Sequence, residues 1–187
     1  MSPAFRRPSS NPNDMDFEIQ RSLELLRQTP YTLQRMLDGL SEEWTRNGGN
    51  RDDWSPYDVL GHLIHGEQTD WMARAEIILA QGENRTFKTF DRLGQFEESK
   101  GKTLDDLLIE FAHLRSANLE RVVGWQLDEQ KRDLTGIHPT FGEVTLRQLL
   151  ATWVVHDLNH IRQIVRFMAR KYESAVGPWK EYLTILK

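Results

Sequence analysis

Between Thr145 and Lys171 the chain reads TLRQLLATWVVHDLNHIRQIVRFMARK, and Leu146, Leu149, Trp153, His156, His160, Ile164 and Phe167 recur at steps of three and four residues. That periodicity commits the segment to a long helix with one buried face. Two members of the face are histidines. Burying an imidazole without partners costs roughly 1–3 kcal/mol, so the pair is either bridged by hydrogen bonds or bound to a metal ion. His156 and His160 stand one turn apart, where both rings can converge on one cation. The metal alternative requires a third ligand from elsewhere in the chain.

The other segments decide what surrounds that helix. Residues 1–13, with Pro3, Pro8 and Pro12, are expected to be disordered, and 14–187 to form one domain. Ile19, Leu23, Leu26, Leu33, Leu37 and Leu40 predict a first helix over about 15–39, kinked at Thr29-Pro30 and ended by Gly39. A short turn at Ser41–Trp44 and a loop at Asn47-Gly48-Gly49-Asn50 follow. Ser55-Pro56-Tyr57-Asp58 then forms a capping box with proline in the first turn, opening a second helix that runs to Ala80 or Gln81. Its inward stripe reads Val59, His62, Gly66, Thr69 and Ala73, small residues that leave room for a ligand.

Residues 82–102 form a connection too long for a simple bundle turn, and its Phe87, Phe90, Leu93 and Phe96 predict a lid or an interface. A third helix begins at Thr103 or Asp105 and buries Leu107 or Leu108, Phe111, Arg115, Leu119 and Val122. Residues 126–144 read as a loop, Thr145 with Gln148 caps the histidine helix, and Trp179–Leu186 reads as a short last helix. Val and Thr fall inside helical periods, so no strand is expected. The fold class is therefore all-α: a four-helix bundle with long cross-connections and a short C-terminal helix.

His62 supplies the third ligand if the second and fourth helices are neighbours; His65, one turn away, is the alternative. The chain has no cysteine, so a metal site must draw on His, Asp and Glu. Three imidazoles leave coordination positions open and suit Zn, Ni or Fe(II) better than Mg or Ca. The formal charge of −4, with both signs interspersed, argues against nucleic acid as a partner. No apolar run reaches the length of a membrane span and no signal peptide is evident, so the expected location is cytoplasmic, without membrane association.

Trp54-Ser55-Pro56, Val59-Leu60-Gly61-His62-Leu63 with Glu67 beyond, Thr145-Leu146, and His156-x-x-x-His160-Ile161-x-Gln163-Ile164 together resemble the DinB-like metal-binding bundles, a group that includes the YfiT-type hydrolases. The likeness spans about residues 15–170. It implies a four-helix bundle holding a divalent metal, commonly Ni or Zn, on His62, His156 and His160, and it implies a homodimer. Some members transfer low-molecular-weight thiols such as bacillithiol or mycothiol, others isomerise maleylpyruvate with a thiol cofactor, and many have no assigned reaction.

The remaining candidates carry less. HDLNH places Asp157 where the HExxH metallopeptidase motif needs glutamate, so that motif fails; Asp157 is read as facing a neighbouring helix or solvent. Glu67 lies well around its helix from His62 and is read as a solvated acid, with a pocket role as the alternative. Gln163 shares the face of His156 and His160 and is a candidate for contact with the site. His113 and His138 are read as ordinary surface or loop residues, and Trp71 and Trp153 as core or pocket wall. The expected function is metal-dependent activation of water or a low-molecular-weight thiol toward a small-molecule substrate; the alternative is a non-catalytic metal- or ligand-binding bundle.

Overall fold

The computed structural model describes residues 16–46 and 53–187. The expected disordered segment 1–13 and the loop at Asn47–Asn50 lie outside them. Helix α1 (Ile19–Leu37) runs unbroken through Pro30, and Gly39 adopts φ +75° beyond its end, a left-handed conformation open to glycine at little cost. After the short α2 (Glu42–Thr45), α3 (Pro56–Thr69) opens on the Ser55/Asp58 box, with both reciprocal bonds made. α4 (Trp71–Ala80) continues it after a break at Asp70. The break was not expected. Thr69, the last residue of α3, and Ala73, which follows the break, were both assigned inward from the sequence and are both exposed, while Trp71 turns back toward Gly66, where a Cβ would lie 3.3 Å from its indole nitrogen.

The connection after α4 carries the short α5 (Gly94–Glu98) and leads to α6 (Leu104–Gly124), capped by a Thr103/Asp106 box. α7 (Glu129–Arg132) follows. The expectation of no strand is corrected: β1 (Thr135–His138) and β2 (Gly142–Thr145) pair antiparallel, Thr135 opposite Thr145 and His138 opposite Gly142. This hairpin seats on the connection after α4, with Phe87 N–H donating to the Ile137 carbonyl at 2.9 Å and Ile137 N–H to that of Arg85 at 2.8 Å. Gly136 permits the approach, because a Cβ there would come within 2.5 Å of the Phe87 ring. Helix α8 (Leu146–Arg170) starts on the Thr145/Gln148 box as expected. The last segment forms two 3-10 turns, Gly177–Tyr182 and Thr184–Leu186, in place of one helix.

Four limbs make the bundle: α1, α3 with α4, α6, and α8. Each packs on two neighbours. α1 lies chiefly against α6 and α8, and α3 likewise against α6 and α8, so α1 faces α3 across the bundle and α6 faces α8. The connection after α6 joins opposed limbs and so crosses an end of the bundle.

Apolar packing divides into two clusters. One joins Leu23, Leu26, Trp71, Ile78, Leu119 and Trp153; the other joins Leu33, Leu60, Leu63, Leu107, Phe111 and Ile164. Between them the bundle carries a polar layer of His62, Glu67, Arg115, Asn118, Asp157 and His160, all buried. Among the described residues no helix is long and apolar enough to cross a membrane.

Candidate metal centre

On α3 and α8 the polar layer contains three converging imidazoles. His62 Nε2 and His160 Nε2 each lie 3.1 Å from His156 Nε2, and the donor nitrogens of the three are all within 4.8 Å of one another. α3 and α8 are neighbours, the condition the sequence reading set for His62 to join the other two. His65 goes elsewhere: its Nδ1 lies 2.8 Å from Glu98 Oε2 and its ring packs on Phe90.

The outer nitrogens orient the rings. His62 Nδ1 donates to Gln95 Oε1 at 2.9 Å, and the Gln95 amide is fixed in turn by Nε2 donating to the Asp58 carbonyl at 3.4 Å. His160 Nδ1 donates to Gln163 Oε1 at 2.9 Å. With both Nδ1 atoms protonated, His62 and His160 present lone pairs at Nε2. His156 cannot satisfy both, since a single proton on its Nε2 goes to one neighbour, and its own Nδ1 is buried without a hydrogen-bond partner. The cluster is therefore under-satisfied as a purely hydrogen-bonded arrangement and matches the donor set of a cation that prefers nitrogen ligands.

Electrostatics favour the same state. Burial, reinforced by the proximity of His160, lowers the His62 pKa to about 4 and that of His156 to about 2; burial also lowers that of His160. All three rings are thus neutral near pH 7, the form that ligates. The sign of the linked stability follows. Below pH 6.5 the unfolded chain takes up a proton at residue 62 that the folded chain refuses until about pH 4, so folding weakens as pH falls through that window. Compared with a His62→Gln variant, metal-free wild type is expected to lose roughly 2–3 kcal/mol of unfolding free energy between pH 7.5 and 4.5, measured by urea denaturation of both proteins. Parallel pH profiles would contradict it.

Aromatic rings pack against the imidazoles. Trp54 lies against His62 (4.9 Å) and stacks toward His160, Phe90 meets His62 edge-on, and Trp71 meets His156 at 5.1 Å. One face opens into a cavity of about 650 Å³. The phenylalanine-bearing connection thus packs over the site as a cover, through Phe90 and through Phe87, which also lines the cavity.

Of the two acids, Glu67 departs from expectation and Asp157 does not. Glu67 is a core residue and not a solvated acid: Arg115 Nε and Nη2 donate to its Oε1 at 3.0 and 2.8 Å, Trp153 Nε1 at 3.0 Å, and Asn118 Nδ2 to its Oε2 at 2.9 Å. Asp157 does face neighbouring helices, receiving Arg115 Nη1 at 2.6 Å and Nη2 at 3.0 Å. Gln163 contacts the site, as expected of its face. His113 is exposed, whereas His138 lines the cavity and is more than a loop residue. Gln95 had no signal in the sequence: a glutamine in a connecting segment, 33 residues from its histidine, is legible only once the chain has folded. Trp71 walls the cavity, while Trp153 is fully buried.

The family model of the DinB superfamily matches residues 25–164. No curated protein sequence matches the chain. Among solved structures, YfiT from Bacillus subtilis, described as "a probable metal-dependent hydrolase with an unusual four-helix bundle topology", superposes with a TM-score of 0.70 at 17% identity, covering 86% of this chain and 93% of that one. At that identity the likeness establishes the four-helix-bundle fold.

Proposed function

The chain belongs to the DinB superfamily, and from that premise we infer that it is a metal-dependent enzyme in which His62, His156 and His160 hold a divalent Ni, Zn or Fe ion, acting on a small molecule with water or a low-molecular-weight thiol as nucleophile. The observation that carries this reading is the meeting of three neutral Nε2 atoms beside an open cavity, with no hydrogen-bonding scheme that satisfies them all. A cation held there supplies Lewis acidity, which acidifies a water or thiol and polarises an electrophile.

The chain's own residues do the rest. Gln95 and Gln163 hold the outer nitrogens of His62 and His160, which fixes each tautomer and directs each lone pair inward. Trp54, Phe90 and Trp71 place apolar ring surface against His62 and His156 where these imidazoles meet the cavity. Among the described residues the one acid lining the cavity, Asp70, is engaged by Arg74 at 2.7 Å, and Glu67 is held in the core by Arg115, Asn118 and Trp153.

Elemental analysis of untagged protein, followed by assay of the loaded protein with chromogenic esters and with thiol plus electrophile, tests this. Stoichiometric metal with turnover in either assay is the expected result, and the assay that responds separates hydrolysis from thiol transfer. Metal without turnover in any assay would leave a binding protein. Replacing Gln95 or Gln163 by leucine is expected to lower metal affinity about 10–100-fold, the usual consequence of losing a partner to a ligating imidazole, read by competition with a chromogenic chelator. Unchanged affinity in both variants would count against their orienting role.

A further inference from the structure

Beside the three imidazoles, the cavity wall has a marked charge pattern. Its lining includes two arginines, Arg74 and Arg92, and one acid, Asp70. Asp70 lies 2.7 Å from Arg74 Nε, and both side chains are mostly buried, so this pair is internally neutralised. Arg92 is different. It stands on the connection before α5, is exposed, and among the described residues forms no ion pair with a carboxylate. His138 adds a donor: its Nδ1 accepts the backbone N–H groups of Thr140 and Phe141 at 3.1 and 3.2 Å, which leaves the ring proton on Nε2. Aromatic rings, Trp71, Phe87, Phe90 and Phe141 among them, make up much of the remaining wall, beside aliphatic Val144 and Leu149 and the polar side chains of Thr140, Gln148 and Thr152.

A concavity of this size fits a small organic molecule. Flat apolar walls suit a planar, apolar body, and an unpaired guanidinium at the rim suits carboxylate or phosphate oxygens, which it can engage with two parallel bonds. We propose that the substrate of this site is a small organic anion, its carboxylate or phosphate head bound by Arg92 and its apolar body lying between the aromatic walls against the histidine cluster. Arg74, fixed by Asp70, contributes to the field but spends its charge on its partner. This assignment of substrate class rests on the reading of the cavity as the reacting site.

The test uses metal-free and zinc-loaded full-length protein, titrated calorimetrically with benzoate, with phenyl phosphate and with neutral benzamide. One or both anions are expected to bind metal-free protein at least about tenfold more tightly than benzamide, as a charged hydrogen bond allows; whichever anion binds better identifies the head group. Arg92→Gln is expected to weaken anion binding about tenfold while leaving benzamide binding and zinc content unchanged. Equal affinity for all three probes, or an equal loss for anions and benzamide in the variant, would overturn the proposal. Zinc content measured on the same samples keeps the two readings apart. Normal zinc without anion preference defeats the substrate class alone, whereas anion preference in a protein that never retains zinc supports the anion site and defeats the metal.

Discussion

Replacing Arg115 with methionine is expected to cost about 3–5 kcal/mol of stability, the usual penalty for removing one partner of a buried ion pair, and so to unfold a large share of a protein of ordinary marginal stability. Arg115 is 1% exposed and has Glu67 on one side and Asp157 on the other, with the Leu26 carbonyl accepting from Nη1 at 2.9 Å. Burial alone would disfavour its charge, but the two carboxylates outweigh that and hold its pKa above the ordinary arginine value. Glu67 experiences the converse, its pKa raised by burial despite the arginine and Asn118. Without the guanidinium, two acids are left in a layer with little access to water. Combining Arg115→Met with Glu67→Gln and Asp157→Asn should recover much of the loss, because the penalty belongs to stranded charge more than to lost packing. Urea midpoints of the single and triple variants decide it. A single variant as stable as wild type would show that the arginine does not neutralise this layer.

The second large effect concerns the site itself. His160→Ala is expected to reduce metal affinity by more than about 100-fold, beyond the 10–100-fold that follows loss of an orienting partner, and to abolish stabilisation by added metal. That stabilisation grows as RT ln(1 + [metal]/Kd), about 2.7 kcal/mol at a hundredfold excess over Kd. Thermal melts with and without nickel or zinc therefore provide a readout independent of turnover. A His160→Ala variant that keeps full metal content and a full metal-dependent shift would remove His160 from the ligand set. His65→Ala serves as the comparison, since that ring pairs with Glu98 and not with the cluster; it should retain the shift.

What could be read from the chain beforehand follows the range of the interactions involved. Helix α8 and its paired histidines were legible because a four-residue step places both rings on one face, whatever the rest of the fold. Capping boxes at Ser55 and Thr145 are local too, and they set helix starts correctly; the third helix start was left between Thr103 and Asp105, and the structure settles it with a Thr103/Asp106 box. Glu67 was misread because its partners lie 48 and 86 residues away, and an acid in a helix carries no local mark of being buried. The hairpin escaped notice because its two four-residue strands are too short for an alternating pattern to emerge, and its pairing depends on a seat against Phe87. Gly66 through Ala73 looked like one continuous inward stripe. The break at Asp70 shifts the phase beyond it, leaving Ala73 exposed while Trp71 and Ala75 are buried, and a periodic reading cannot register such a break.

The opposed placement of α1 and α3 also has a consequence for how the polypeptide is made. A nascent chain releases α1, with Leu23, Leu26, Leu33 and Leu37 ready for burial, well before α6 and α8, the limbs it chiefly packs against. Loop closure over such separations slows folding, and unsheltered apolar surface is what chaperones bind and what aggregates. A ribosome-bound fragment ending before α6 should accordingly remain protease-sensitive, with protection arriving only after the histidine-bearing helix has emerged.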